Sequence, residues 1–172
     1  MPKQQFTTGI PKLDEYIGII HPGDSVLIYA SKIEDSSIAF KALANYAILV
    51  NIPVVYLSVD DSLLELLKGI RKLSHFKVTS QKASKRSMVN AVKRFASMHT
   101  NRSYIILDDL SKWKNILGNE QVVADLFEFL VSLANRKNSL LISQDSCYRI
   151  ITKTRRNGNI MMKMSKDAGD KI

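Results

Sequence analysis

The sequence predicts an α/β fold: a three-layer sandwich around a mainly parallel central sheet, with an antiparallel hairpin at the C-terminal end. Two observations carry this reading. Short apolar, β-branched runs recur without polar alternation, as in strands buried on both faces. Between them lie longer segments with helical spacing of apolar residues, the arrangement of a parallel sheet with helices on both sides. A third observation, Asn157-Gly158 between two strand-like runs near the end, is a hairpin signal.

In chain order, the turn signal His21-Pro22-Gly23-Asp24 precedes a first strand, Ser25 to Ala30. Ser36 or Ser37 is placed to cap a helix with Ile38, Leu43, Ala47 and Val50 on its apolar face. Pro53 to Val59 reads as a second strand, and Asp60 or Asp61 as the cap of the helix after it. Residues 84–99 predict an amphipathic helix, with Met88, Val92, Phe95 and Met98 inward and Lys85, Arg86, Lys93 and Arg94 outward. Tyr104 to Leu107 is a third strand, ending in Asp108-Asp109. Residues 119–137 form a helix through Val122, Leu126, Phe129 and Leu133, and Leu140 to Ser143 is a fourth strand. Tyr148–Lys153 and Asn159–Met164 are the two arms of the hairpin, with Arg155 and Arg156 at its tip. The whole is one domain over 1–172: a lead-in at 1–24, an α/β core at 25–146, and a basic hairpin and tail at 147–172.

Composition narrows the function classes. The chain has 172 residues, 45% of them hydrophobic, enough for one core. No apolar run reaches the ~18 residues of a membrane span, and Met1-Pro2-Lys3-Gln4-Gln5 leads into no apolar stretch of the secretory kind. The expectation is a cytoplasmic domain without a membrane partner. A single cysteine, Cys147, excludes an internal disulfide and a cysteine-cluster zinc site, and reads as a buried structural thiol. His21, His75 and His99 lack metal-ligand spacing. The net charge of +9 is uneven: residues 1–65 are net acidic, whereas residues 66–107 hold ten basic side chains and no acid. Such a block is either a solvated helix surface or a polyanion-binding face.

Ligands of open parallel α/β sheets bind beyond the carboxyl ends of the strands. That rule puts the loop at 30–37, the pair Asp60/Asp61 and the pair Asp108/Asp109 on one edge. The two Asp after the second strand read equally as helix caps.

The order of motifs resembles a known family. Phe6-Thr7-Thr8-Gly9-Ile10-Pro11-Lys12-Leu13-Asp14, then Pro22-Gly23-Asp24 and a strand, is similar to the opening of KaiC-type members of the RecA ATPase superfamily. Val55 to Ser62 resembles that family's second strand, which ends in a catalytic pair of glutamates. Tyr104 to Asp109 resembles its Walker B strand, whose Asp helps to hold the magnesium of the nucleotide. The resemblance spans residues 6–145 and implies a RecA-like fold.

The phosphate loop departs from the family. A Walker A motif reads G-x-x-x-x-G-K-[ST], its glycines wrapping backbone N–H groups around phosphates that a lysine neutralises. The aligned residues run Ala30-Ser31-Lys32-Ile33-Glu34-Asp35-Ser36-Ser37. Ala30 and Asp35 replace the glycines, Ser36 replaces the lysine, and Ser37 alone keeps its type. A carboxylate ~4 Å from a phosphate charge adds repulsion of about 4 kcal/mol at an effective dielectric of about 20. The lost lysine contact is worth ~1.5–3 kcal/mol, and the sum exceeds the ~4 kcal/mol between micromolar and millimolar affinity. Asp60 and Asp61 are also one methylene shorter than the catalytic glutamates. The implied site is therefore vestigial: Asp60 and Asp61 as catalytic remnants, Asp108 and Ser37 as magnesium remnants, no resident cofactor, and at most weak Mg·ATP binding.

Lys153-Thr154-Arg155 resembles a Lys-x-Arg element that KaiC-type subunits project toward a neighbour's nucleotide. Trp113, between Lys112 and Lys114, fits either a base-stacking loop residue or an anchor of its loop to the core. Met161, Met162 and Met164 read as packing residues of the hairpin. The expected function is a RecA/KaiC-like pseudo-ATPase serving as a regulatory or protein-interaction module. Its partner would be another protein, an active RecA/KaiC-like subunit or a second copy of the chain. A nucleic-acid-binding recombinase paralogue is the alternative, using basic segments 66–107 and 149–163 with Lys85, Arg86, Lys93, Arg94, Lys153, Arg155 and Arg156. An ATPase with an unusual phosphate loop is the third.

Overall fold

A computed structural model describes residues 6–29, 33–79, 83–145 and 160–163. Six strands form one sheet in the order β3-β2-β4-β5-β1-β6: β1 Ser25–Tyr29, β2 Val54–Ser58, β3 Leu73–Lys77, β4 Tyr104–Leu107, β5 Leu140–Asp145 and β6 Ile160–Lys163. Every pairing is parallel. The helices are α1 Pro11–Ile17, α2 Ile33–Val50, α3 Leu64–Leu67, α4 Lys85–His99, α5 Leu110–Leu117 and α6 Glu120–Arg136.

Alternate residues of the central strands feed two separate cores, as the two-residue strand period requires. Val26, Ile28, Val54, Tyr56, Tyr104, Ile106, Leu140 and Ile142 face Phe40, Leu43, Ala44 and Ala47 of α2 and Leu67 of α3. Leu27, Val55, Leu57, Ile105, Leu107 and Leu141 face Val92 and Ala96 of α4, Trp113 of α5, and Leu126, Phe127 and Leu130 of α6. Burial on both faces explains why these strands read as continuous apolar runs.

Four expectations need correction. The segment 160–163 is not an arm of an antiparallel hairpin: β6 lies parallel to β1, with Val26 opposite Ile160. The predicted first arm and the Arg155-Arg156 tip lie outside the described residues, as does Cys147. Helix α2 begins at Ile33 rather than after a Ser36 or Ser37 cap, which places both serines inside its first turns. Its buried face is Ala39, Phe40, Leu43, Ala44 and Ala47, whereas Ile38 and Val50 are exposed. On α4, Val92 is buried and Met88 and Phe95 partly so, but Met98 faces solvent. Helix α1, strand β3 and helix α5 are additional elements.

The lead-in is a strap bound to the body. Asp14 accepts hydrogen bonds from the Thr8 amide and hydroxyl, each 2.7 Å, and from the Thr7 hydroxyl. Tyr104 on β4 donates its hydroxyl to the Thr7 carbonyl at 3.0 Å, and Phe6 meets the Tyr104 ring edge-on at 5.4 Å. Gly9 has φ +80, and a Cβ there would lie 2.5 Å from the Ala42 carbonyl oxygen of α2. Only glycine brings the backbone so close in that conformation.

Candidate functional site

The carboxyl ends of β2, β4 and β5 bring Asp60, Asp61, Asp108, Asp109 and Asp145 to one edge, as the sheet rule anticipates. The phosphate-loop positions are only partly visible. Ala30, Ser31 and Lys32 lie outside the described residues, and Asp35, Ser36 and Ser37 fall in the first turns of α2.

Asp108 is the best-defined group. It is 1% exposed, and its carboxylate is bound from three sides. The Trp113 indole N–H donates to Oδ1 at 2.7 Å. The Val59 amide donates to Oδ2 at 3.2 Å, and the Tyr56 hydroxyl lies 3.5 Å from the same oxygen. Burial pushes its pKa up to about 7, against the opposing pull of the Val59 and Trp113 hydrogen bonds. Burial first, and Asp108 second, raise the Tyr56 phenol well above its ordinary value. A carboxylate that holds hydrated magnesium turns its oxygens to the ion and its waters, whereas both Asp108 oxygens are bound by internal donors.

The other carboxylates are also engaged. Asp60 forms an ion pair with Lys112 of α5 and accepts from the Ser62 amide at 2.9 Å. Burial alone would raise its pKa, but the Lys112 and Ser62 hydrogen bonds hold it below the usual carboxylate value. Asp61 pairs with Lys77 of β3 at 2.6 Å. Neither side chain caps α3, whose N-cap is Leu63 without a side-chain bond; Asp60 instead closes a turn onto Ser62. Asp109 caps α5 through the Ser111 amide at 2.9 Å, and the Ser111 hydroxyl donates to buried Asp145 at 3.0 Å.

Trp113 is thus an anchor. It is fully buried on α5 and binds Asp108 five residues earlier. Its neighbours Lys112 and Lys114 pair with Asp60 and Glu120. Sequence reasoning missed a polar pair beside this cluster: the Ser58 hydroxyl and His75 Nε2 lie 2.7 Å apart, with the His75 ring stacked on Tyr56 at 4.8 Å. Burial lowers the His75 pKa. No periodic signal marked it: Leu73-Ser74-His75-Phe76-Lys77 has no apolar-polar alternation, and its residues are half-exposed at the sheet edge.

The predicted polyanion residues do not converge here. Lys85, Arg86 and Arg94 are exposed on α4, while Lys93 sits over the Phe129 ring at 5.0 Å. Lys153, Arg155 and Arg156 lie outside the described residues. No group of three or more His, Cys, Asp or Glu able to hold a metal occurs among the described residues. No helix among them is long and apolar enough to cross a membrane. A groove of about 400 Å³ lies away from this edge, against the strap, lined by Phe6, Thr7, Asp14, Glu15, Gly18, Ile19 and Tyr46. Compared with protein-family models and with curated proteins, the chain matches none.

Proposed function

We propose that the chain is a RecA/KaiC-like domain that has given up nucleotide hydrolysis and acts as a regulatory or protein-interaction module. The observation that carries this reading is the inward binding of Asp108 by Trp113, Val59 and Tyr56. The residue in the magnesium position of the resemblance serves as an internal hydrogen-bond acceptor. The ion pairs of Asp60 with Lys112 and of Asp61 with Lys77 support it: a general base must reach a water within ~2.6–3.2 Å, and both carboxylates are already engaged. The phosphate-loop replacements act in the same direction. What the domain retains is a rigid parallel sheet with helices on both faces, suited to presenting surfaces to a partner.

Isothermal titration calorimetry with Mg·ATP, alongside a phosphate-release assay, tests the proposal. The expected result is no saturable heat at micromolar nucleotide and no turnover above background. Micromolar binding with hydrolysis that Ser37→Ala and Asp108→Ala abolish would overturn it.

A further inference from the structure

The two ends of the sheet differ in charge. The ends of β2, β4 and β5 carry the five aspartates described above. The segments leading into strands at the opposite end carry Arg71 and Lys72 before β3, Arg102 before β4, and Arg136 at the end of α6 with Lys137 before β5, all exposed. These segments are tied by backbone hydrogen bonds, from the Val54 amide to the Lys72 carbonyl at 2.9 Å and from the Arg102 amide to the Lys137 carbonyl at 3.0 Å. Asp24, in the turn before β1, is bound back to the His21 amide at 2.7 Å. The helix dipole accounts for Arg136, in the last turn of α6, but not for Arg71, Lys72 or Arg102. Arg102 moreover has φ +45, a conformation that side-chain-bearing residues rarely adopt.

Aliphatic side chains are exposed at the same end. Helices α2 and α4 finish there, leaving Leu49 81% and Met98 74% exposed, with Ile48 and Val50 partly so. They flank the cations. Ile48 Cδ1 lies 2.9 Å from where a Cβ on Gly69 would sit, two residues before Arg71. Met98 adjoins His99, whose Nδ1 is 3.4 Å from the Ser74 hydroxyl in β3, two residues beyond Lys72.

We infer that this amino-terminal edge of the sheet docks on an anionic lipid surface. Arg71, Lys72, Arg102 and Lys137 meet headgroup phosphates and carboxylates, and Leu49 and Met98 enter the upper acyl region. A nucleic-acid backbone would engage the cations and leave the aliphatic side chains in water. Stacking on bases favours exposed aromatic rings, and no described Phe, Tyr or Trp side chain is exposed. The expectation of no membrane partner rested on the lack of a spanning segment, which a surface contact does not need. The inference stands independently of the nucleotide site.

The test is sedimentation of the full chain with vesicles of phosphatidylcholine, with and without phosphatidylserine, across a salt series. Binding is expected only with phosphatidylserine and should weaken as salt rises. Each cation near an anionic surface contributes about five-fold, so combining Arg71→Ala, Lys72→Ala and Lys137→Ala should weaken binding about a hundred-fold. Arg102→Gly removes a guanidinium while keeping the left-handed backbone, and should weaken it about five-fold. Leu49→Ser with Met98→Ser should abolish the binding that survives at high salt. Lys85→Ala with Arg86→Ala, at the opposite end, should leave it unchanged. Circular dichroism confirms that each variant folds. Absence of binding to phosphatidylserine vesicles overturns the inference, as does an equal loss in the Lys85/Arg86 variant. Tighter binding to duplex DNA, indifferent to Leu49 and Met98, would overturn it in favour of nucleic acid.

Discussion

The strap at residues 6–20 and the carboxyl edge of the sheet both carry residues of the RecA/KaiC-like pattern, and they use them differently. In the strap, Thr7, Thr8 and Asp14 of the pattern have an architectural task. Asp14 gathers Thr7 and Thr8, and Gly9 lets the chain lie against the α2 backbone. At the carboxyl edge, Asp108, Asp60 and Asp61 stand where the resemblance puts catalytic groups, yet their partners are Trp113, Lys112 and Lys77. Residues that hold the fold together keep their type under either function, whereas residues that serve only a ligand are free to be replaced or turned inward.

The sharpest way to break the comparison is Trp113→Ala, which empties a fully buried site and releases Asp108. Stability should fall by about 4 kcal/mol, measured by urea unfolding; a loss below about 1 kcal/mol would show that α5 is not anchored as described. Next comes the pH dependence of Asp108. Its folded pKa of about 7 lies above its unfolded value, so the folded state holds the proton more tightly. Its contribution is fully present below about pH 4 and is lost as pH rises to about 7, at up to about 1.4 kcal/mol per pH unit. Asp108→Asn should flatten that part of the stability profile; an unchanged profile would assign the dependence elsewhere. In the strap, Asp14→Ala removes three acceptor contacts and should lower stability by about 3 kcal/mol. An effect equal to that of Asp60→Ala would erase the distinction between the two regions. The smallest effect belongs to Asp60→Ala itself, about 0.5 kcal/mol in the same assay, because its pair with Lys112 is partly solvated.

Four of the six strands were legible because their residues are buried on both faces and therefore form unbroken apolar runs. Strand β3 was not. Leu73-Ser74-His75-Phe76-Lys77 lies at the sheet edge, half-exposed and pairing with β2 alone, so its polar residues hid it. Helix α5 was hidden because Asp109 was read as the end of the preceding strand rather than as the cap it is. The direction of β6 depends on pairing with β1, more than a hundred residues away, while Asn157-Gly158 reports only local turn preference. At the site, the positions of the aspartates followed from topology alone. Their neutralisation did not, because Trp113 reaches Asp108, and Lys112 reaches Asp60, only once α5 turns back over the edge.

The ionisation of Asp108 tests the central claim most directly. A carbon-detected NMR titration of its side-chain carboxyl, with and without Mg·ATP, reads whether this group belongs to the interior or to a ligand. A midpoint near 7 that is the same in both titrations is the predicted result. A midpoint that falls by more than about one unit when Mg·ATP is added, the signature of an opposite charge arriving beside the carboxylate, would contradict it.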